Sequence, residues 1–361
     1  MVDAADPDLT FHGDRELGAG LVDLAVNVRL SEPPQWLAEE LKAAIAGLGA
    51  YPDDREATAA LADFHGVPPE MVLPTAGGAE AFTLIARAGL GRRPCVVHPQ
   101  FTEPEAALVT AGLRPERLVL TEGSGFRLDA SQVPPGVDLV LVGNPTNPTG
   151  VLHNVSELWD LWREGRTIVV DEAFMDAVPG EIESMIGSRM PDALVLRSLT
   201  KTWGLAGLRV GYVVGDPGLI ARLRQQQPPW SVSTLALAAI RAVCSERGRD
   251  EAGAAANAYS VPRDRLETGL GRLGLAPAGP SYAPFVLAKG PVGLREALRD
   301  RGYAVRRGDT FPGLGPEWIR IAVRGVDVVD AFLGAAADAL AQLPTGSGTH
   351  HPVDPGPGTH S

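Results

Sequence analysis

Lysine occurs only three times in this 361-residue chain, at Lys42, Lys201 and Lys289, and arginine supplies the rest of its 32 basic side chains. A lysine kept among so many arginines calls for a task that a guanidinium cannot do. Lys201 lies in Arg197-Ser-Leu-Thr-Lys-Thr-Trp-Gly-Leu-Ala-Gly-Leu-Arg-Val-Gly-Tyr212. An amine condenses with an aldehyde to a Schiff base, and a guanidinium does not. Ser198 and Thr200 upstream and Arg209 downstream suit a phosphate dianion. An aldehyde that carries a phosphate is pyridoxal 5'-phosphate (PLP), and this stretch reads as its attachment site. A lone lysine in such a turn is more often a solvated surface residue. Two further motifs shift that balance.

They are Val140-Leu-Val-Gly-Asn-Pro-Thr-Asn-Pro-Thr-Gly150 and Thr167-Ile-Val-Val-Asp-Glu-Ala-Phe174. Each opens as a short apolar run, the pattern of a buried parallel strand. Each then turns polar or Pro/Gly-rich at the strand's carboxyl end, where ligands sit in open α/β sheets. Asp171 falls at that mouth. A buried carboxylate needs a cationic partner, and a protonated pyridine nitrogen is one. Taken alone, Asp171 reads equally well as a helix cap. Asn147 can hydrogen-bond a phenolic oxygen, or simply mark a turn. Thr75-Ala-Gly-Gly-Ala-Glu80 enters a helix through two glycines, which lets amides approach an anion at a helix N-terminus. Its spacing is not that of a dinucleotide fingerprint, so hydride transfer on a nicotinamide is disfavoured. In Trp318-Ile-Arg-Ile-Ala-Val-Arg324, Arg320 and Arg324 are four apart and are expected on one strand face. Two cations so placed suit an anionic ligand.

As a set, these motifs resemble the aspartate-aminotransferase superfamily of PLP enzymes, fold type I, over about residues 24–343. The resemblance implies an α/β fold: a three-layer domain around a mainly parallel central sheet, plus a smaller α+β C-terminal domain. It implies that the amides of Gly78 and Ala79, with Ser198, Thr200 and Arg209, hold the cofactor phosphate. Phe101 would stack on the ring, Asn147 and Asp171 would bind its edge, and Lys201 would hold and serve it. Tyr51 would reach the cofactor of a neighbouring subunit in a homodimer. On the substrate side, Arg320 matches an α-carboxylate ligand. Arg306 and Arg324 match ligands for carboxylate and phosphate groups, and His12 and Asn27 match contacts from the N-terminal arm. Arg29 departs from the pattern, replacing an asparagine that faces the substrate's phosphate end.

Within the superfamily, His12-Gly13, Asp171–Asp176, Arg197–Lys201, Arg224–Val232 and Phe311–Leu314 look most like the threonine-phosphate decarboxylase of cobalamin biosynthesis. Histidinol-phosphate aminotransferase comes second; the close aminotransferases usually carry Tyr where this chain has Phe174. The leading expectation is therefore a decarboxylase of threonine phosphate. An aminotransferase using 2-oxoglutarate is the alternative, and a catalytically silent binding protein is a distant one.

These residues need a frame. The pattern predicts an arm over 1–35, a large PLP-binding domain over 36–245, a small domain over 246–343 and a disordered tail over 344–361. Strands are expected at 94–98, 138–143, 167–171, 193–197, 209–214, 284–288, 303–306 and 318–323. Helices are expected at 35–48, 55–65, 77–90, 103–111, 233–247, 261–273, 292–302 and 326–342. The net charge of −12 disfavours nucleic acid or an anionic membrane as partner. Cys95 and Cys244 are too few and too far apart for a zinc site or a disulfide framework, and no metal is expected. With no leader pattern and no long apolar run, the expectation is a soluble cytoplasmic protein.

Overall fold

The computed structural model describes residues 8–343. The expected tail therefore lies outside the described residues. Along the chain, β1 (Val22–Leu24) is followed by α1 (Gln35–Ala44), α2 (Arg55–His65), β2 (Val72–Thr75), α3 (Gly78–Arg87), β3 (Pro94–His98), α4 (Glu103–Thr110) and β4 (Glu116–Val119). Then come β5 (Leu139–Gly143), α5 (Val155–Trp159), β6 (Thr167–Asp171), β7 (Ala193–Ser198), β8 (Gly211–Gly215), α6 (Pro217–Gln226), α7 (Thr234–Val243) and α8 (Glu246–Ala258). The chain finishes with α9 (Ser260–Arg272), β9 (Ala276–Pro277), β10 (Phe285–Lys289), α10 (Leu294–Arg299), β11 (Tyr303–Arg307), β12 (Trp318–Ala322) and α11 (Val326–Gln342).

The larger sheet has seven strands in the order β2-β8-β7-β6-β5-β3-β4. β4, β3, β5, β6 and β7 run parallel, and β8 is antiparallel to both of its neighbours. Strand alternation sorts the apolar side chains to two faces. Val140, Val142, Ile168, Val170 and Val195 pack with Leu37 of α1, Leu61 of α2 and Leu237 of α7. Leu139, Leu141, Val169, Leu194 and Leu196 pack with Phe82 of α3, Leu108 of α4 and Ile220 of α6. This is the expected helix–sheet–helix sandwich. It places Asp171, Leu196 and Ser198 on the α3 side.

The second sheet runs β1-β11-β12-β10-β9. One face carries Val286, Val305, Ile319 and Ile321 against Leu270 of α9, Leu298 of α10 and Phe332 of α11. Its other face carries Arg306 and Arg320. The sequence pattern marks no strand in the arm. Yet its β1 pairs in parallel with β11, Leu24 opposite Val305, and so joins this sheet.

Several boundaries differ from expectation. The helix expected over 233–247 ends at Val243, because the Ser245 hydroxyl accepts the Gly248 N–H and starts α8. α8 has too weak an apolar stripe to be seen ahead of the structure. The strand expected from 209 begins at Gly211, since Arg209 adopts a left-handed backbone, φ 53°. No described helix is long and apolar enough to cross a membrane.

Candidate active site

The expected phosphate end is built where three elements meet. β7 ends at Ser198, whose backbone pairs with Gly211 at the start of β8. A Cβ on Gly211 would sit 3.2 Å from the Gly77 Cα, so β8 runs hard against the entry to α3. Gly77 has φ +80°, and a Cβ there would sit 3.0 Å from Arg209 Nη2. Glycine is required at 77 both for its backbone angle and for the guanidinium lying over it. Gly78 and Ala79 open α3, where first-turn amides lack helical partners. Ser198 Oγ and Thr200 Oγ1 are 2.8 Å apart. Arg209, held by its Nη1 donating to the Ala206 carbonyl at 3.1 Å, closes this cup.

The ring end lies along the strand tips. Asp171 stands in register with Gly143 of β5 and Leu196 of β7. Its Oδ1 accepts the Ala173 N–H at 3.0 Å. Burial pushes its proton affinity up, to a pKa of about 6, against the Ala173 N–H and the charge of Lys201. Burial pulls the Lys201 amine down to about 8. Arg320 and Arg209 add to that, while Asp171 and Asp176 oppose it. At that value about a tenth of the amine is the neutral nucleophile at pH 7, far more than for an ordinary lysine. Asn147 accepts from Arg320, Nη1 to Oδ1 at 2.6 Å, which leaves its amide N–H groups to donate elsewhere. Phe101 is half-buried, with the His12 ring 5.8 Å and the Phe82 ring 6.5 Å away.

The arginine face comes next. Arg306 and Arg320 are direct cross-strand partners on β11 and β12, and both are buried. Arg306 lies between the rings of Phe11 and Phe311, 4.7 and 4.8 Å from their centroids. Its Nη2 donates to the Phe11 carbonyl at 2.8 Å, and its Nη1 is buried without a partner. Burial lowers its pKa to about 10. Arg320 sits over Phe285, donates Nη2 to the Ala25 carbonyl, and keeps a buried Nε without a partner. Asn27, also buried, has an unpartnered Oδ1.

Three expected substrate contacts and one expected cofactor contact, Tyr51, need comment. Arg324 does not share a strand face with Arg320, because β12 ends at Ala322. Its guanidinium turns to the arm instead, donating to the Val26 carbonyl at 2.6 Å and the Asp23 carbonyl at 3.2 Å. Arg29 points neither to solvent nor to an open anion site. Its Nε donates to the Thr202 carbonyl at 3.0 Å, and Nη2 lies 3.9 Å from Glu251. A carbonyl and a carboxylate near the Lys201 loop thus absorb the extra charge. His12 Nε2 lies 2.6 Å from Glu103 Oε1. Tyr51 lies away from this cluster, exposed, its ring stacked on Trp230 with centroids 4.3 Å apart.

Two groups escaped the sequence reading. Asp176, in the turn Met175–Ala177, has both carboxylate oxygens buried and acts on Lys201 by charge. Glu172 and Arg197 form a buried ion pair at 3.0 Å. Their signal was visible in principle: each is a charge at the end of an otherwise apolar run.

The residues fit PLP. The Gly77–Arg209 cradle would be filled by any side chain at 77. Asp171 has a proton affinity that a cationic ring nitrogen would reverse. The Lys201 amine feels the charges of both Arg209 and Asp171. A model of the aminotransferase class I and II family matches residues 19–333. The chain belongs to that family. It is 47% identical over 319 residues to a histidinol-phosphate aminotransferase of Mycobacterium tuberculosis, covering 87% of this chain and 86% of that protein. It is 30% identical over 336 residues to the threonine-phosphate decarboxylase of Salmonella typhimurium, covering 89% of this chain and 91% of that one. The structure of a Sinorhizobium meliloti histidinol-phosphate aminotransferase in complex with PLP superposes with a TM-score of 0.78 at 22% identity, covering 89% of this chain and 91% of that chain.

This family member is a PLP-dependent enzyme. When bound, PLP supplies an electron sink for a bond broken at the substrate's α-carbon. The protein supplies the rest. Ser198, Thr200, Arg209 and the α3 amides would hold the phosphate. Asp171 would keep the ring nitrogen protonated. Lys201, near neutrality, would hold the aldehyde carbon and later carry a proton.

Proposed function

We propose that the chain is an aminotransferase for a phosphorylated amino substrate, histidinol phosphate or a close analogue, with 2-oxoglutarate as amino acceptor. The observation that carries this reading is the 47% identity, over 87% of the chain, to the mycobacterial histidinol-phosphate aminotransferase. The decarboxylase relative stands at 30%. The balance thus moves from the decarboxylase expectation to its alternative. The unpartnered N–H groups of Arg306 and Arg320 suit the phosphate of histidinol phosphate in one half-reaction and the two carboxylates of 2-oxoglutarate in the other. Arg320 is also tied to Asn147, so a carboxylate on it is held beside the residue that binds the cofactor's edge.

Threonine-phosphate decarboxylation is the second reading. Phe174 favours it: the side chain is packed edge-on against Phe285 with ring centroids 5.0 Å apart, and it offers no hydroxyl where the close aminotransferases carry tyrosine. Purified enzyme given histidinol phosphate plus 2-oxoglutarate, and separately phosphothreonine, separates the two. Glutamate formed without CO₂ supports the aminotransferase; CO₂ released without glutamate replaces it with the second reading.

The working unit proposed is a homodimer. The exposed Tyr51–Trp230 stack supports it, being an aromatic pair left on the surface of a single chain.

A further inference from the structure

β6 and β7 carry the two residues that would hold opposite ends of the cofactor, Asp171 for the ring nitrogen and Ser198 for the phosphate. Asp171 is paired with Leu196, and the ladder continues as the Glu172 N–H donates to the Leu196 carbonyl at 2.9 Å. Alternation then turns Glu172 and Arg197 to the opposite face of the sheet, toward α2 and α7. There Arg197 Nε lies 3.0 Å from Glu172 Oε2, and Nη2 lies 2.6 Å from Glu181 Oε2. Ser184 bridges the pair: its Oγ accepts from Arg197 Nη2 at 3.0 Å and donates to Glu172 Oε2 at 2.8 Å. The Met185 N–H closes the second Glu172 oxygen at 2.7 Å. Tyr212 stands directly opposite Arg197 on β8, its hydroxyl 2.9 Å from His65 Nε2. Glu172 and Arg197 are only 1% and 5% exposed, and the network does not touch the face that holds the cofactor.

Stability alone is a poor reason for such a network. Two carboxylates and a guanidinium lose their hydration, and well-packed apolar residues often do as well or better. Its placement suggests another reason. Glu172 directly follows Asp171, and Arg197 directly precedes Ser198. The ion pair of Glu172 with Arg197, hydrogen-bonded through Ser184, therefore ties the tips of β6 and β7 at the spacing that separates the ring end of the site from its phosphate end. We propose that Glu172, Arg197 and Ser184 are positioning residues that set the distance between Asp171 and Ser198, and through it the grip on PLP. Apolar packing would hold the strands together but would not fix their tips, because it has no preferred geometry along the strand axis. Charge-assisted hydrogen bonds do.

Three variants test this, with PLP affinity and the visible circular dichroism of the bound cofactor as readouts beside the melting temperature of the apoprotein. Glu172→Gln should raise the PLP dissociation constant on the order of tenfold to a hundredfold, the size of effect seen when a supporting shell is cut. The triple change Glu172→Leu, Arg197→Met, Glu181→Leu should restore or exceed the native melting temperature while affinity and dichroism stay impaired. Ser184→Ala removes the bridge and leaves the charges, so it stays informative if the others fail to fold; a severalfold loss of affinity is expected. Leu270→Ala, in the core of the other sheet, is the control for lost stability and should leave PLP affinity unchanged. Native affinity and dichroism in the triple variant, or in Ser184→Ala, would reduce the network to ordinary core packing. So would an equal loss in Leu270→Ala.

Discussion

Arg306 and Arg320 stand directly opposite each other on β11 and β12, two buried guanidiniums in register across one strand pair. Like charges in that relation repel, and burial makes the repulsion worse. The carbonyls of Phe11 and Ala25 in the arm relieve part of it, yet each arginine keeps one nitrogen without a partner. An anion between them would satisfy both.

Arg320→Lys keeps the charge and loses the planar fork. It should raise KM for the amino substrate by about tenfold or more, a cost of ~1.4 kcal/mol or above. Steady-state kinetics with the preferred substrate would show it. A native KM would mean that Arg320 serves the arm and Asn147 rather than the substrate.

The Lys201 amine, at a pKa of about 8, should be neutral above that pH and charged below it. Apoprotein should therefore capture PLP faster as pH rises, levelling off above about 8 rather than climbing toward an ordinary lysine's range. Asp176→Asn removes a carboxylate that favours the charged form, so the midpoint should fall. Arg320→Met removes a cation that disfavours it, so the midpoint should rise. Stopped-flow capture rates across pH would decide, and a midpoint unmoved by either change would remove both groups from the amine's surroundings. Lys201→Ala should abolish turnover and leave no borohydride-fixed PLP. Lys42 is exposed, and Lys289 is bound to Glu122 at 2.6 Å on the surface, so neither should carry the label.

Arg29→Ala should act on the lysine loop and not on the substrate. The Arg29 N–H donates to the Lys201 carbonyl at 2.8 Å, and its side chain holds the Thr202 carbonyl. The expected pattern is a lower kcat and faster PLP loss, with KM for a phosphorylated substrate within about twofold of native. A rise confined to KM would return Arg29 to the substrate's phosphate end.

Mixing inactive Lys201→Ala chains with impaired Tyr51→Phe chains should restore activity if Tyr51 completes the site of a neighbouring subunit. The stack on Trp230 leaves Tyr51 exposed in the single chain, where a partner can reach it. Mixed dimers with no gain over the separate variants would confine Tyr51 to a surface role.

Much of this enzyme was legible in one dimension. The strands at 167–171 and 94–98 and the helices at 55–65 and 326–342 lie where their apolar patterns end, because those signals are local. So are the turn chemistry of Gly77 and the polar break after β7, which is why candidates for a phosphate cup and Lys201 could be proposed from the sequence. What lies between distant segments could not be read. The pairing of Arg306 with Arg320 depends on the register of two strands that no local pattern specifies. The capture of the arm by Arg320 and Arg324, and the turning of Arg29 to Thr202 and Glu251, depend on where chain segments hundreds of residues apart come to lie. Residue types and spacing determined which groups could do the chemistry. Tertiary packing decided which arginines keep free N–H groups for a substrate and which are used to hold the protein to itself.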